Sequence, residues 1–255
     1  MQMKNNVGAI TQIPVTKKTM KKTTLLMLAA ACISAQASPV TILNYSFETP
    51  TLANDGNNPV ANTNPWNSWG WFKTTGVSWQ DFGIENPSVG EYTGATGSGT
   101  PSGADGINVC YLNQNATGGA VVNIFQDIGT LLPDTTYTLT VAIGQRFDRV
   151  NGSATIGLID TTSANANPWA TGTLESSTTG VSSVAGSFQD FTTTFTTGST
   201  VTGDLYVGAQ YVGNGTIQAS VDNFRLDVTT VPEPGTMALA ALGGASLLFW
   251  RRRSK

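Results

Sequence analysis

The chain has 255 residues, with sixteen acidic and thirteen basic side chains, two cysteines and no histidine. Without histidine there is no Ser-His-Asp or Cys-His nucleophile system and no histidine-ligated metal site. Any acid–base enzyme built on this sequence would have to work with carboxylates alone.

Residues 1–37 read as an export signal. Lys17, Lys18, Lys21 and Lys22 form its basic region, residues 25–33 its apolar core, and Ala35-Gln36-Ala37 an A-x-A site for signal peptidase, which places the mature start at Ser38. Met20, followed by two lysines, reads as an alternative start codon. Cys32 does not complete a lipoprotein signal, because Ala29 stands where a lipobox has leucine. Residues 38–230 hold fifteen of the sixteen acids but only Lys73, Arg146, Arg149 and Arg225 among the bases, a net charge near −11. Such a surface repels nucleic acid and favours cations or neutral ligands. Cys110 is the one cysteine left, so no intramolecular disulfide forms in the mature domain. Its place in the apolar run 107–112 predicts a buried, inert thiol.

The domain at 38–230 shows period-two alternation and no long helical periodicity. Segment 49–65 is turn-rich, and Trp66, Trp69, Trp71, Phe72, Trp79 and Phe82 then follow within seventeen positions. Trp69 and Trp71 share a face if extended and are read as core, whereas Trp66 and Trp79 are candidates for holding a ligand on an exposed indole. The glycine-rich stretch 88–106 reads as loop, and Leu132-Pro133-Asp134-Thr135 as a turn into the strongest strand. In that strand Tyr137, Leu139, Val141 and Ile143 face one way. Trp169, after Asn167-Pro168, is a third candidate ligand-binding ring. Phe191, Thr193 and Phe195 alternate with Thr192, Thr194 and Thr196; Leu205, Val207, Ala209 and Tyr211 mark the next strand. Asn214-Gly215 is a hairpin signal, and Phe224, Leu226 and Val228 face inward in the last strand, with Asp222 on the same parity. No fixed-period repeat is present, which argues against a solenoid or propeller. The expected fold is all-β, an antiparallel β-sandwich, flanked by an N-terminal signal helix and a C-terminal hydrophobic helix.

Residues 231–255 end the chain with a Pro232-Glu233-Pro234 triplet, an uncharged run 236–250 and the basic cluster Arg251, Arg252, Arg253 and Lys255. The prolines stop a helix from running in from upstream. A helix over 236–250 would be about 22 Å long, short of the ~30 Å hydrocarbon core, with its basic end in the cytoplasm. This order of parts resembles the PEP-CTERM sorting signal. The resemblance implies that an exosortase, a membrane protease-transpeptidase, recognises Pro232, Glu233 and Pro234. It also implies that the inner membrane holds the protein transiently before it reaches the cell surface or the medium. An ordinary C-terminal anchor is the alternative.

Within the domain, Asn44-Tyr45-Ser46-Phe47-Glu48, Asp105-Gly106-Ile107-Asn108-Val109, Phe125-Gln126-Asp127-Ile128, residues 132–139 and Val221-Asp222-Asn223-Phe224-Arg225-Leu226 occur in that order. Together they are similar to galactose-binding-like jelly rolls, which include carbohydrate-binding modules. The resemblance implies a structural calcium tying the first strand to the last, with Glu48 and Asp222 as ligands and main-chain or Asn/Asp oxygens completing its shell. The functional expectation is a secreted, surface-sorted, non-catalytic module that binds carbohydrate or joins an exopolysaccharide matrix and biofilm. The alternative is a purely structural surface protein. A glycan hydrolase would need two carboxylates about 5–10 Å apart in one cleft. Ice binding, suggested by the threonine rows and by PEP-CTERM tails on some ice-binding proteins, is set against the preference of threonine for the wet face of any strand.

Overall fold

The computed structural model of the protein describes residues 36–54, 56–59, 69–74, 82–114, 120–149, 152–163, 167–213 and 217–230. The expected terminal helices, the sorting motif, Trp66 and Trp79 lie outside these residues. Among the described residues no helix is long and apolar enough to cross a membrane.

Among the described residues twelve strands form two antiparallel sheets, all within the compact unit Ile33–Ala238. The larger sheet, sheet A, runs β10 (Ser187–Thr196), β7 (Thr135–Gln145), β12 (Ile217–Thr230), β5 (Val109–Gln114), β4 (Phe82–Glu85) and β2 (Asn57–Pro59), with β1 (Ser38–Val40) also paired to β12. Sheet B runs β3 (Gly70–Lys73), β6 (Ala120–Thr130), β11 (Asp204–Gly213), β8 (Ala154–Thr161) and β9 (Thr173–Gly180). One helical turn, α1 (Pro168–Thr171), joins β8 to β9, in a stretch where the sequence offers no strand pattern to follow.

The strands form where alternation places an apolar row on one side. Tyr137, Leu139, Val141 and Ile143 of β7 are buried, as are Leu205, Val207, Ala209 and Tyr211 of β11. With Phe224, Leu226, Ile156 and Leu158 they fill the space between the sheets. Trp69 and Trp71 belong to this core, as expected. Trp69 packs against Phe47 and Phe224 at centroid distances of 5.4 and 4.8 Å, and Trp71 lies 5.7 Å from Phe82. Cys110 is buried and free, and burial pushes its thiol well above the ordinary range, as an inert thiol requires.

Two sequence expectations change. The Asn214-Gly215 signal does not make a hairpin ladder, because β11 belongs to sheet B and β12 to sheet A; the turn residues themselves are outside the described set. The threonine rows meet across β7 and β10 and bond one another, Thr136 to Thr196 at 2.9 Å and Thr140 to Thr192 at 3.0 Å. Hydroxyls satisfied in this way fit a wet strand face and lend no support to ice binding.

Candidate functional site

β12 changes neighbour half-way along its length. Its Ile217–Val221 segment pairs with β5, and its Leu226–Val228 segment pairs with β1. Between them the register to β7 shifts, Asp222 opposing Ala142 and Arg225 opposing Thr140, with Asn223 at φ 51°. One extra residue on β12 is a β-bulge, and it reverses side-chain parity. Asp222 therefore does not share a face with Phe224 and Leu226, as strict alternation predicts. It lies on the outer face of sheet A and is fully buried.

Loop 41–50 fills the gap left by the change of partner. Phe224 N donates to Tyr45 O at 3.0 Å, and the buried Gln126 amide holds both main-chain groups of Leu43 at 2.8 and 2.9 Å. This brings Glu48 to the strand opening β5, where its Oε1 accepts the Asn108 N–H at 2.8 Å. Asn108 Nδ2 returns two bonds of 3.1 Å to the carbonyls of Phe47 and Pro50. Asp222 Oδ2 accepts the Asp105 N–H at 2.7 Å. Gly106 stands between them at φ +79°, and a Cβ there would fall 2.3 Å from Glu48 Oε1. Only glycine suits that position on both counts.

Glu48, Asp105 and Asp222 thus form an acidic cluster, and among the described residues every ion pair lies elsewhere. Burial pushes the Asp222 carboxyl well above its ordinary range, the N–H groups of Asp105 and Asn223 oppose this, and the charges of Glu48 and Asp105 add to it. Glu48 is raised for the same leading reason, and Tyr45 is raised chiefly by its hydrogen bond to Asp105. Asp222 Oδ1 and Asn108 Oδ1 are buried oxygens with no hydrogen-bond partner. Unmet acceptors beside like charges are the surroundings that a hard cation relieves. A groove of about 430 Å³ runs alongside, lined by Val40, Ile42, Tyr45, Phe224, Arg225 and Leu226.

A second charged group, not foreseen from the sequence, gathers on the same outer face of sheet A. Arg146 is 3% exposed. It donates to Asp148 at 2.8 and 2.9 Å, to Glu85 at 3.3 Å, to Gln218 at 3.4 Å and to Glu91. The only sequence signal was the scarcity of bases in the domain. The Arg146 guanidinium holds Asp148 below the usual carboxylate range, whereas burial outweighs the same arginine at Glu85 and raises it. Glu85 and Asp222 flank Val109 on the outer face, two strand spacings or about 9.6 Å apart. Tyr92, Ala95, Val109, Ala142 and Phe188 pack together over that row.

On sheet B, Gly157 and Gly208 are register partners, and Trp169 from α1 lies over both. A Cβ on either glycine would come within 2.9 Å of the indole. The indole N–H donates to Ile124 O at 3.3 Å, and Asn167 Oδ1 caps the Trp169 N–H at 3.2 Å. The ring is therefore laid against the sheet and only partly exposed, not projecting from a loop. Beside it, Leu174 is 47% exposed.

The profile of the HpiC1-like family, described as HpiC1 cyclase, matches residues 38–227. The chain belongs to the HpiC1-like family. In this HpiC1-like protein a second profile, the PEP-CTERM protein-sorting motif, matches residues 230–253, in agreement with the sequence reading of the tail. No curated protein matches the chain. A crystal structure of the Stig cyclase Fisc from Fischerella sp. TAU, in complex with (3Z)-3-(1-methyl-2-pyrrolidinylidene)-3H-indole, is 21% identical, with a TM-score of 0.56 over 77% of this chain and 100% of that one. A second cyclase structure from Fischerella sp. TAU is 20% identical, with a TM-score of 0.58 over 77% of this chain and 100% of that one. These likenesses agree with the HpiC1-like sandwich in fold. A CBM4 structure aligns at a TM-score of 0.44 and 17% identity over 74% of this chain and 99% of that one, too distant to add to the comparison.

Proposed function

We propose that this exported, PEP-CTERM-sorted protein is a non-catalytic module that binds neutral polysaccharide outside the cell, with a structural calcium ion at Glu48 and Asp222. The observation that carries the binding reading is Trp169, a part-exposed indole held against sheet B over two glycines by two hydrogen bonds. A rigid indole loses little entropy when the apolar face of a sugar stacks on it. The acidic surface of the domain repels anionic polymers and leaves neutral ones as the fitting partner.

For calcium, Glu48 and Asp222 would supply carboxylates and the unpartnered Asn108 Oδ1 an amide oxygen. Among the described residues no three acidic, cysteine or histidine side chains converge to cage a metal by themselves. Main-chain carbonyls and water would therefore complete the six to eight oxygens that calcium takes. The ion would neutralise the cluster and clasp loop 41–50 to the β12 bulge.

Family membership favours a second reading, a cyclase. Asp222 is a buried carboxyl whose pKa burial raises well above the ordinary range, close to Tyr45 and the groove on β12, and an acid-initiated cyclisation needs a proton donor of that kind. One experiment separates the two. The purified mature protein is applied to an array of neutral and acidic glycans and, in parallel, incubated with 3-substituted indoles. Retention on neutral glycans without turnover supports the binding module. A flat array ends that reading, and a cyclised product establishes the other.

A further inference from the structure

We propose that Asn123 is the polar reader of the Trp169 site, meeting two adjacent hydroxyl groups of a neutral pyranose whose apolar face lies on the indole. This rests on the polysaccharide reading above. Asn123 is on β6 and shares the outer face of sheet B with Phe125, two positions on. The carbonyl between them, Ile124 O, is the one that takes the Trp169 indole N–H. Asn123 is 0% exposed, yet both its Oδ1 and its Nδ2 lack a hydrogen-bond partner.

Buried amides nearly always find partners, and leaving both ends unmet costs the fold the full desolvation of the group. The cross-strand neighbours explain why no partner comes from the protein. Phe72 on β3 has none to give, and Gln210 on β11 forms no bond to Asn123. A primary amide holds a donor and an acceptor side by side, which is the complement of a vicinal diol. The row Phe72, Asn123, Gln210, Thr155 carries no charge, which suits a neutral sugar. Phe72, the register partner of Asn123 on edge strand β3, is 36% exposed, and displacement of its ring by the incoming sugar is the opening that the proposal requires.

The test is Asn123→Leu in the mature protein, with Trp169→Phe beside it. Affinity for methyl glucoside, galactoside and mannoside, and for a soluble neutral glucan, is measured by calorimetry, and each variant is also melted. Asn123→Leu should lower affinity about tenfold or more, the loss of two neutral hydrogen bonds. It should leave the melting temperature equal or higher, because an apolar side chain replaces two unmet polar atoms. Trp169→Phe should weaken the same ligands. Wild-type affinity in Asn123→Leu, or a melting temperature several degrees lower, overturns the assignment while polysaccharide binding stands. Failure of the wild type to bind any of these probes removes both.

Discussion

Replacing Asp222 by asparagine probes the acidic cluster most directly. Without a bound cation the carboxyl is fully buried, one oxygen taking the Asp105 N–H and the other taking nothing. Burial first, then the charges of Glu48 and Asp105, raise its pKa above the unfolded value of about 3.9. The folded state therefore keeps a proton that the unfolded chain releases, so metal-free stability falls as pH rises from that unfolded value through the raised one. Calcium should remove the penalty. At 100 times its Kd a ligand adds about 2.7 kcal/mol, which for a domain of this size is roughly 5–11 °C in Tm. The assay is a set of melts in EDTA and in millimolar calcium at pH 5 and pH 8. The wild type should gain from calcium, and gain more at pH 8. Asp222→Asn should lose most of that gain and of the pH dependence. In EDTA it should melt no lower than the wild type, because asparagine keeps the acceptor for Asp105 and sets a donor among the acids. No calcium-dependent shift, or the same shift in the variant, would refute the site.

Arg146→Met strands Glu85, Glu91 and Asp148 without their shared guanidinium and should cost about 3–5 kcal/mol, read as a lower urea midpoint; a loss below about 1 kcal/mol would mean that solvent already screens the group. In the wild type the stability that Asp148 draws from Arg146 is present above the unfolded carboxylate pKa and lost as pH falls through its depressed folded one, so acid melts of the variant should be flatter in that range. Intact-mass measurement of surface-released protein should show Gly235 to Lys255 removed in a host with an exosortase, and a tail retained through Arg251 to Lys255 would mark a permanent anchor.

What alternation decides is local, and the sequence by itself determined it. A strand has two faces, so Tyr137, Leu139, Val141 and Ile143 had to face the core together, and so did Leu205 to Tyr211. The missing histidines and the Pro-Glu-Pro tail needed no fold to be read. Which strands become neighbours was not legible, because pairing joins residues far apart in sequence. Asn214-Gly215 therefore looked like a hairpin while its strands went to different sheets. The bulge at Asn223 arises where β12 exchanges β5 for β1, and that exchange turned Asp222 from an inward side chain into an outward, buried one. Arg146 takes Glu85 and Glu91 from 61 and 55 residues away, and only Asp148 from its own loop. Trp169 found its bed only because Gly157 and Gly208, on two different strands, leave room for an indole that no stretch of neighbouring residues could announce.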